Sequence, residues 1–390
     1  MQKPQIVRKP APFKVDGLAI PYPEFVPRLF NLCLSLGFRK ELIMPSRAFC
    51  SDENQGLPII LMTKHFGTFP FNHGRVGGII ASDRHGPHAH HGVDSVILQA
   101  SHVGYDPNTG IYGKFIRPRM GGATASDSCG KIAHVIRPYI EQYEFAREQI
   151  FLHQDNSGRK LITIKNSFLD FTSQPVKKGL VLLLEKIAEV DEARRIVPVA
   201  SLSTSQTFAV AEDFGRRLDD AGYLWKGEAG ECIGKYLFAD LFQFREDFRD
   251  NDDSILLERS LAEFMPTIVT SANPPLKAAI IIIQLEFTRI VESIHWGGEY
   301  AGKNLLYITG LNIDISEFEG FPATTYFVPW AAYVQLSGDA PEDYSHPLEQ
   351  DHLFKLIMEQ KIENPAQIDL KDEISRMLQA PRFDIRSPQE

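Results

Sequence analysis

The feature that most constrains the fold of this chain is a set of apolar, β-branched runs that alternate with amphipathic segments. Residues 304–315 and 324–335 predict two long strands, and residues 95–101 predict a third. Apolar residues at helical spacing predict helices over residues 24–36 and 130–148. Strands that alternate with helices favour an α/β fold, in which helices cover the faces of a sheet.

The remaining segments carry weaker secondary-structure signals. Residues 41–49 predict a short strand that leads into Cys50, and residues 111–116 predict the second strand of a hairpin with residues 95–101. Residues 275–294 predict a long buried helix, or a strand followed by a helix. Helices are also predicted over residues 178–190, 205–221, 231–248, 352–361 and 371–378, and a strand over residues 196–202.

Composition and charge narrow the classes of function. With 43% hydrophobic and 23% charged residues, a chain of 390 residues can bury a sizeable core. The net charge of −9 disfavours a nucleic-acid partner, because phosphate binding needs a basic field. No apolar run reaches the length of a membrane span, and the first residues do not resemble a signal peptide. We therefore expect a cytoplasmic protein without a membrane span.

Two cysteines, Cys50 and Cys129, enclose the densest histidine cluster of the chain. In a reducing compartment each thiol can be an inert core residue, a metal ligand or a nucleophile. The predicted helix that starts after Cys129 would place this thiol at a helix N-terminus, where the dipole favours a thiolate. The spacing of 27 residues from His102 to Cys129 excludes a zinc finger with close ligand pairs. The cluster comprises His65, His73, His85, His88, His90, His91 and His102.

Three blocks between about residues 45 and 135 carry a resemblance to a known family. The first is Cys50-Ser51-Asp52-Glu53, and the second, residues 67–77, reads Gly-Thr-Phe-Pro-Phe followed by a glycine-rich turn. The order and spacing of all three resemble the limiting-CO2-inducible protein B/C family, a branch related to the β-type carbonic anhydrases. The third block contains His102, Asp106, Gly113, Arg117-Pro118 and Cys129-Gly130.

This resemblance implies a zinc site and a reaction. Cys50, His102 and Cys129 would hold Zn2+, and Asp52 would orient or accept a proton from the zinc-bound water. The implied activity is that of a zinc carbonic anhydrase, the reversible hydration of CO2 to bicarbonate by a metal-bound hydroxide. In the usual β-type motif an arginine follows two residues after the aspartate, but this chain has Asn54 there. The matching block assigns that role first to Arg117, and the alternatives are Arg47, Arg84 and Arg119.

The same resemblance implies the rest of the architecture. It implies a β-carbonic-anhydrase-like mixed sheet flanked by helices and a homodimer that completes the pocket. We divide the chain into an extended, proline-rich arm (1–22), the α/β domain (23–338) and a helical C-terminal extension (339–390). Three aromatic or apolar residues either line a CO2 cavity or belong to the core, and three histidines either carry protons at the pocket mouth or are structural. These residues are Phe69, Phe71 and Val103, and His88, His90 and His91.

Two other functions stay open at this point. The first is a catalytically silent relative that keeps the zinc and acts as a CO2 or bicarbonate sensor or as an assembly subunit, because function lies in the site rather than in the fold. The second is a zinc hydrolase that activates water for a larger substrate. Metal content and CO2 hydration distinguish these functions.

Overall fold

The computed structural model describes residues 12–80, 94–116, 125–164, 180–182, 206–210, 212–227, 230–244, 254–297, 300, 302–319, 322–337 and 347–362. The strands are β1 (Ile20–Pro21), β2 (Ile43–Ala48), β3 (Phe71–Asn72), β4 (Asp94–Asp106), β5 (Ile111–Tyr112), β6 (Lys114–Ile116), β7 (Ala125–Asp127), β8 (Ile150–Gln154), β9 (Lys160–Ile164), β10 (Leu180–Leu182), β11 (Gln206–Ala209), β12 (Glu231–Cys232), β13 (Phe242–Phe244), β14 (Leu305–Ile315) and β15 (Thr324–Gln335). The α-helices are α1 (Tyr22–Ser35), α2 (Gly56–Phe66), α3 (Gly130–Gln149), α4 (Glu212–Asp220), α5 (Ile255–Leu261), α6 (Met265–Val269), α7 (Pro274–Gly297) and α8 (Gln350–Met358).

A mixed sheet of seven strands forms the centre of the fold. Its strand order is β1-β15-β14-β4-β2-β3, and β5 pairs with β4. The neighbours β14, β4, β2 and β3 run parallel, whereas β15 is antiparallel to β14. Parallel strands are buried on both faces, and accordingly β4 and β14 are buried along nearly their whole length. The predicted class, a mixed sheet flanked by helices, is confirmed.

Helices cover both faces of this sheet. On one face α1, α2 and α8 pack against alternate strand residues in a core that includes Phe30, Phe66 and Leu353. On the other face α7 packs through Phe287 and Ile290. Successive side chains of a strand point to opposite faces, so the two cores share the strands but not the residues.

The chain forms two units, one made of Met1–Ser128 with Ile282–Glu390 and the other of Cys129–Ile281. The first unit contains the seven-stranded sheet and the short hairpin of β6 and β7. The second contains α3 to α6, an antiparallel sheet in the order β11-β9-β8-β12, and the pair β10-β13. The second of the two boundaries, between Ile281 and Ile282, lies within α7. The predicted arm, domain and extension boundaries stay predictions.

Several secondary-structure predictions are wrong in the second unit. In its described part, residues 231–244, the helix predicted over residues 231–248 is instead β12, two short 3-10 helices and β13. Buried Phe242 and Phe244 flank exposed Gln243, which is the alternation of a strand. The predicted helix 205–221 begins instead with β11 and continues as α4, and the described part of 178–190 is the strand β10. The segments 196–202 and 371–378 lie outside the described residues.

Three of the longest elements match the prediction closely. The predicted strands 304–315 and 324–335 are β14 and β15, and the predicted helix 130–148 is α3. The predicted hairpin is confirmed in part, since β4 turns back and pairs with β5. Among the described helices, none combines the length and the apolar character that crossing a bilayer requires.

Candidate metal centre

Cys50, His102 and Cys129 converge at the carboxyl end of the central parallel strands. Cys50 lies two residues beyond β2, and His102 lies in the neighbouring strand β4. Cys129 follows Ser128, whose carbonyl accepts a hydrogen bond from the N–H of Gly104 in β4 at 2.9 Å. One ligand atom from each of the three side chains lies within 4.8 Å of the other two, and all three residues are buried. The set can therefore hold one metal ion.

A buried carboxylate fixes the orientation of the His102 ring. His102 Nδ1 lies 2.7 Å from Asp314 Oδ2, and both side chains are at most 1% exposed. Asp314 is an acceptor, so the proton belongs on Nδ1 and the lone pair on Nε2. A carboxylate behind the imidazole is the arrangement that metal-binding histidines use most often. Nε2 is therefore the atom available to a metal.

Asp314 is itself held by a polar network inside the apolar core. It accepts hydrogen bonds from Gln55 Nε2 at 3.2 Å and from the Thr325 hydroxyl at 3.1 Å. Asn312 Nδ2 donates to Gln55 Oε1 at 2.6 Å, and the Tyr22 hydroxyl donates to Asn312 Oδ1 at 2.8 Å. These side chains come from α1, β14, β15 and the turn after Cys50. Each satisfies its neighbour, so the imidazole is fixed by several elements at once.

The backbone supports each sulfur in a different way. Gly77 N–H donates to Cys50 Sγ at 3.3 Å. Cys129 is the N-cap residue of the 20-residue helix α3. The partial positive charge at a helix N-terminus favours a thiolate, as does a backbone donor that points at sulfur. The prediction that Cys129 lies at a helix N-terminus is confirmed.

The glycine-rich block is required by close backbone approach. A Cβ atom at Gly74 would lie 2.0 Å from the carbonyl oxygen of Phe49, beside Cys50. A Cβ atom at Gly78 would lie 2.3 Å from the carbonyl oxygen of Ala100, and Gly78 has a φ of +83°. Both contacts exclude any side chain. The block therefore lets a turn lie directly on the end of β2 and the middle of β4.

Asp52 lies beside the available nitrogen of His102. Its Oδ2 is 3.9 Å from His102 Nε2, and its Oδ1 accepts the Asn54 N–H at 3.2 Å. Burial raises the pKa of the Asp52 carboxyl, and the nearby His102 and the Asn54 donor oppose this rise. Asn54 also donates through Nδ2 to Ser128 Oγ at 3.3 Å, so it links the first cysteine block to the residue before Cys129.

The arginine predicted to act with Asp52 falls on Arg117, which lies outside the described residues. The alternatives Arg84 and Arg119 do so as well. Arg47 lies in β2, half-buried, and burial lowers its pKa. The assignment of Arg117 thus stays a prediction.

The other sequence candidates separate into core and surface. Cys33 is buried in α1, and burial raises the pKa of its thiol, as expected of an inert core residue. Val103 is buried, but Phe69 and Phe71 are 71% and 55% exposed. The core alternative is therefore wrong for these two rings; Phe71 lies in β3, the last strand of the sheet, whose side chains are exposed. The histidines at 85, 88, 90 and 91 lie outside the described residues.

Sequence reasoning missed the residues behind His102. Asn312 and Asp314 are polar residues two positions apart in an otherwise apolar run, so both point to one face of a buried strand. A polar pair in such a strand must find partners, which was the available signal for a functional site. Gln55 and Tyr22 carried no comparable signal.

Comparisons with known proteins give structural neighbours only. No protein-family model matches the chain, and no curated protein does. A crystal structure of a point mutant of PtLCIB4, a homolog of the limiting CO2-inducible protein LCIB, is 11% identical with a TM-score of 0.48, covering 83% of this chain and 91% of the other. The unmutated PtLCIB4 gives 11% and 0.46, covering 85% and 95%.

A crystal structure of the limiting CO2-inducible protein LCIB itself is 12% identical, with a TM-score of 0.43, and covers 83% of this chain and 93% of the other. These neighbours carry the name of the family that the three sequence blocks resemble. At this identity and TM-score, the neighbours show nothing about the chemistry of this chain, which depends on its own residues.

Proposed function

We propose that this protein binds one zinc ion through Cys50, His102 and Cys129 and catalyses the reversible hydration of CO2 to bicarbonate. The observation that carries the proposal is the convergence of these three buried side chains within 4.8 Å. Two thiolates and an imidazole are ligands that zinc prefers, and the thiolates balance its charge. Three protein ligands leave the fourth tetrahedral position for water, as a catalytic site requires.

The residues around the set fit this reaction. Zinc in such a site supplies a Lewis acid that makes water nucleophilic near neutral pH. Asp52, whose Oδ2 lies 3.9 Å from His102 Nε2, would accept a hydrogen bond from a water bound in this site and so orient its lone pair toward CO2. Asp314 keeps the His102 proton on Nδ1. Arg117, as the sequence resemblance implies, would pair with Asp52.

The test combines metal analysis with an assay of CO2 hydration by stopped flow with a pH indicator. The purified protein should hold about one zinc per chain and should hydrate CO2 faster than buffer alone. The variant D52N should keep its zinc and lose roughly 100-fold or more in kcat/KM, because a positioned acid or base contributes about that much. The matched control is D106N, which changes a carboxylate in an exposed turn.

The outcomes distinguish the competing functions. A protein that holds zinc but does not accelerate hydration would contradict the enzyme and support the silent relative that senses CO2 or bicarbonate. Full activity in D52N would remove Asp52 from the mechanism while leaving the zinc set in place. We also propose a homodimer and a cytoplasmic location. Light scattering of the purified protein tests the homodimer.

A further inference from the structure

An ion pair on α7 binds the backbone N–H and the carbonyl oxygen of Ile80, the last residue of the glycine-rich turn (residues 74–80). Glu286 and Arg289 are one helical turn apart, and Arg289 Nε donates to Glu286 Oε1 at 3.0 Å. Glu286 Oε2 accepts the N–H of Ile80 at 2.6 Å, and Arg289 Nη2 donates to the carbonyl oxygen of Ile80 at 2.7 Å. Both polar groups of Ile80 are therefore bound by side chains of one helix.

The carboxylate of Glu286 loses its hydration on burial, which costs free energy. Its side chain is only 5% exposed, whereas that of Arg289 is 34% exposed. A buried ion pair contributes little net stability, because the loss of hydration offsets the attraction between the charges. What the pair adds is a defined position, since its two hydrogen bonds hold the N–H and the carbonyl of Ile80, which belong to two successive peptide groups.

The same turn is held at a second point. Gln99 Nε2 donates to the carbonyl oxygen of Gly78 at 3.0 Å, and the Thr309 hydroxyl donates to Gln99 Oε1. Within the turn, Arg75 N–H donates to the Ile79 carbonyl at 2.8 Å and Gly78 N–H to the Arg75 carbonyl at 3.0 Å. The segment therefore has little freedom between Arg75 and Ile80.

The residue between these anchors contacts the candidate metal site. Gly77 N–H donates to Cys50 Sγ at 3.3 Å. The direction of this N–H depends on the neighbouring peptide groups. The hydrogen bonds of Arg75, Gly78 and Ile80 described above hold those groups in place. A shift of the turn would therefore remove the donor from the sulfur.

We propose that Glu286 and Arg289 are positioning residues of the metal site, which fix the turn so that Gly77 N–H points at Cys50 Sγ. The proposal rests on the proposed function only in that Cys50 is a metal ligand. A backbone donor to a ligand sulfur fixes the direction of the sulfur lone pairs and reduces the electron density that the sulfur gives to the metal. Loss of such an outer contact lowers metal affinity about 10–100-fold.

The experiment compares four variants by metal affinity and by spectroscopy. E286A removes the acceptor of the Ile80 N–H, R289A removes the donor to its carbonyl, and E286Q keeps an amide oxygen as acceptor. The matched control is D94A, because Asp94 is also a buried carboxylate that accepts a backbone N–H and pairs with an arginine, Arg39. Zinc affinity is measured by chelator competition, and the sulfur-to-metal charge-transfer band is recorded on the cobalt(II) form.

E286A and R289A should weaken zinc binding at least about 10-fold and shift the cobalt band. E286Q should restore most of the affinity, and D94A should leave the affinity and the band unchanged at equal loss of thermal stability. If E286A does not fold, R289A decides, since its side chain is partly exposed. The proposal is overturned if E286A and R289A weaken zinc binding no more than D94A, or if the parent holds no metal. A parent that holds zinc without hydrating CO2 contradicts only the proposed function.

Discussion

Replacing Asp314 by Ala should damage both the fold and the metal site, and the two losses can be measured separately. The substitution removes the acceptor of His102 Nδ1, of Gln55 Nε2 and of the Thr325 hydroxyl, all in the buried core. Each donor left unsatisfied costs about 1–3 kcal/mol, and loss of one partner from a buried charged network typically costs about 3–5 kcal/mol. We therefore expect the free energy of unfolding to fall by roughly 3–5 kcal/mol.

The metal should respond through the imidazole. Without Asp314 the proton is no longer held on Nδ1, so zinc affinity should fall about 10–100-fold, which is about 1.4–2.8 kcal/mol. D314N should lose less, because its amide oxygen can still accept from His102 while its NH2 donates to the Thr325 hydroxyl.

The assays are chelator competition for zinc and urea unfolding with and without the metal. T325V is the matched control, because it removes one hydrogen bond to Asp314 Oδ1 without touching His102. It should cost about 1 kcal/mol of stability and leave zinc affinity unchanged. A zinc dissociation constant for D314A within twofold of the parent value would refute the role given to Asp314.

Three further predictions concern the ligands, the turn and the network. C129A should purify with less than a tenth of the parent zinc, whereas C33A, which removes a buried thiol of α1, should keep it; equal zinc in both would refute the ligand set. G78A should lower the free energy of unfolding by about 3 kcal/mol or more, through its positive φ and its overlap with β4. G17A, with φ +75° and nothing within 4 Å, should cost only about 1 kcal/mol, and similar values for both would contradict this account of the turn. Y22F should cost about 1 kcal/mol in urea unfolding, since it removes the donor to Asn312, and no change would mean that this hydrogen bond adds nothing.

The sequence predicted the parts of the fold that depend on local patterns. β14, β15 and α3 were predictable because their apolar residues repeat over ten or more positions. The region of β12 and β13 was not, because strands of two or three residues are too short to show a period and pair only through distant partners. Gly234, at positive φ, marks where the expected helix is interrupted.

The candidate site shows the same division. Cys50, His102 and Cys129 were nominated from residue type and order, and the fold brings them together. Asp314 was not nominated, because 212 positions separate it from His102, and only the parallel pairing of β4 with β14 makes them neighbours. No sequence pattern encodes a contact of that kind. The hydrogen bond from Ile80 N–H to Glu286 could not be predicted for the same reason, because 206 positions separate the two residues.

X-ray absorption at the zinc edge of the purified protein reports the atoms bound to the metal and so tests the proposed ligand set itself. We expect two sulfur ligands at about 2.3 Å and one imidazole nitrogen at about 2.0–2.1 Å, with a light atom in the fourth position. In C129A any residual zinc should show at most one sulfur. A zinc shell made only of nitrogen and oxygen in the parent protein, or a protein that takes up no zinc, would contradict the account.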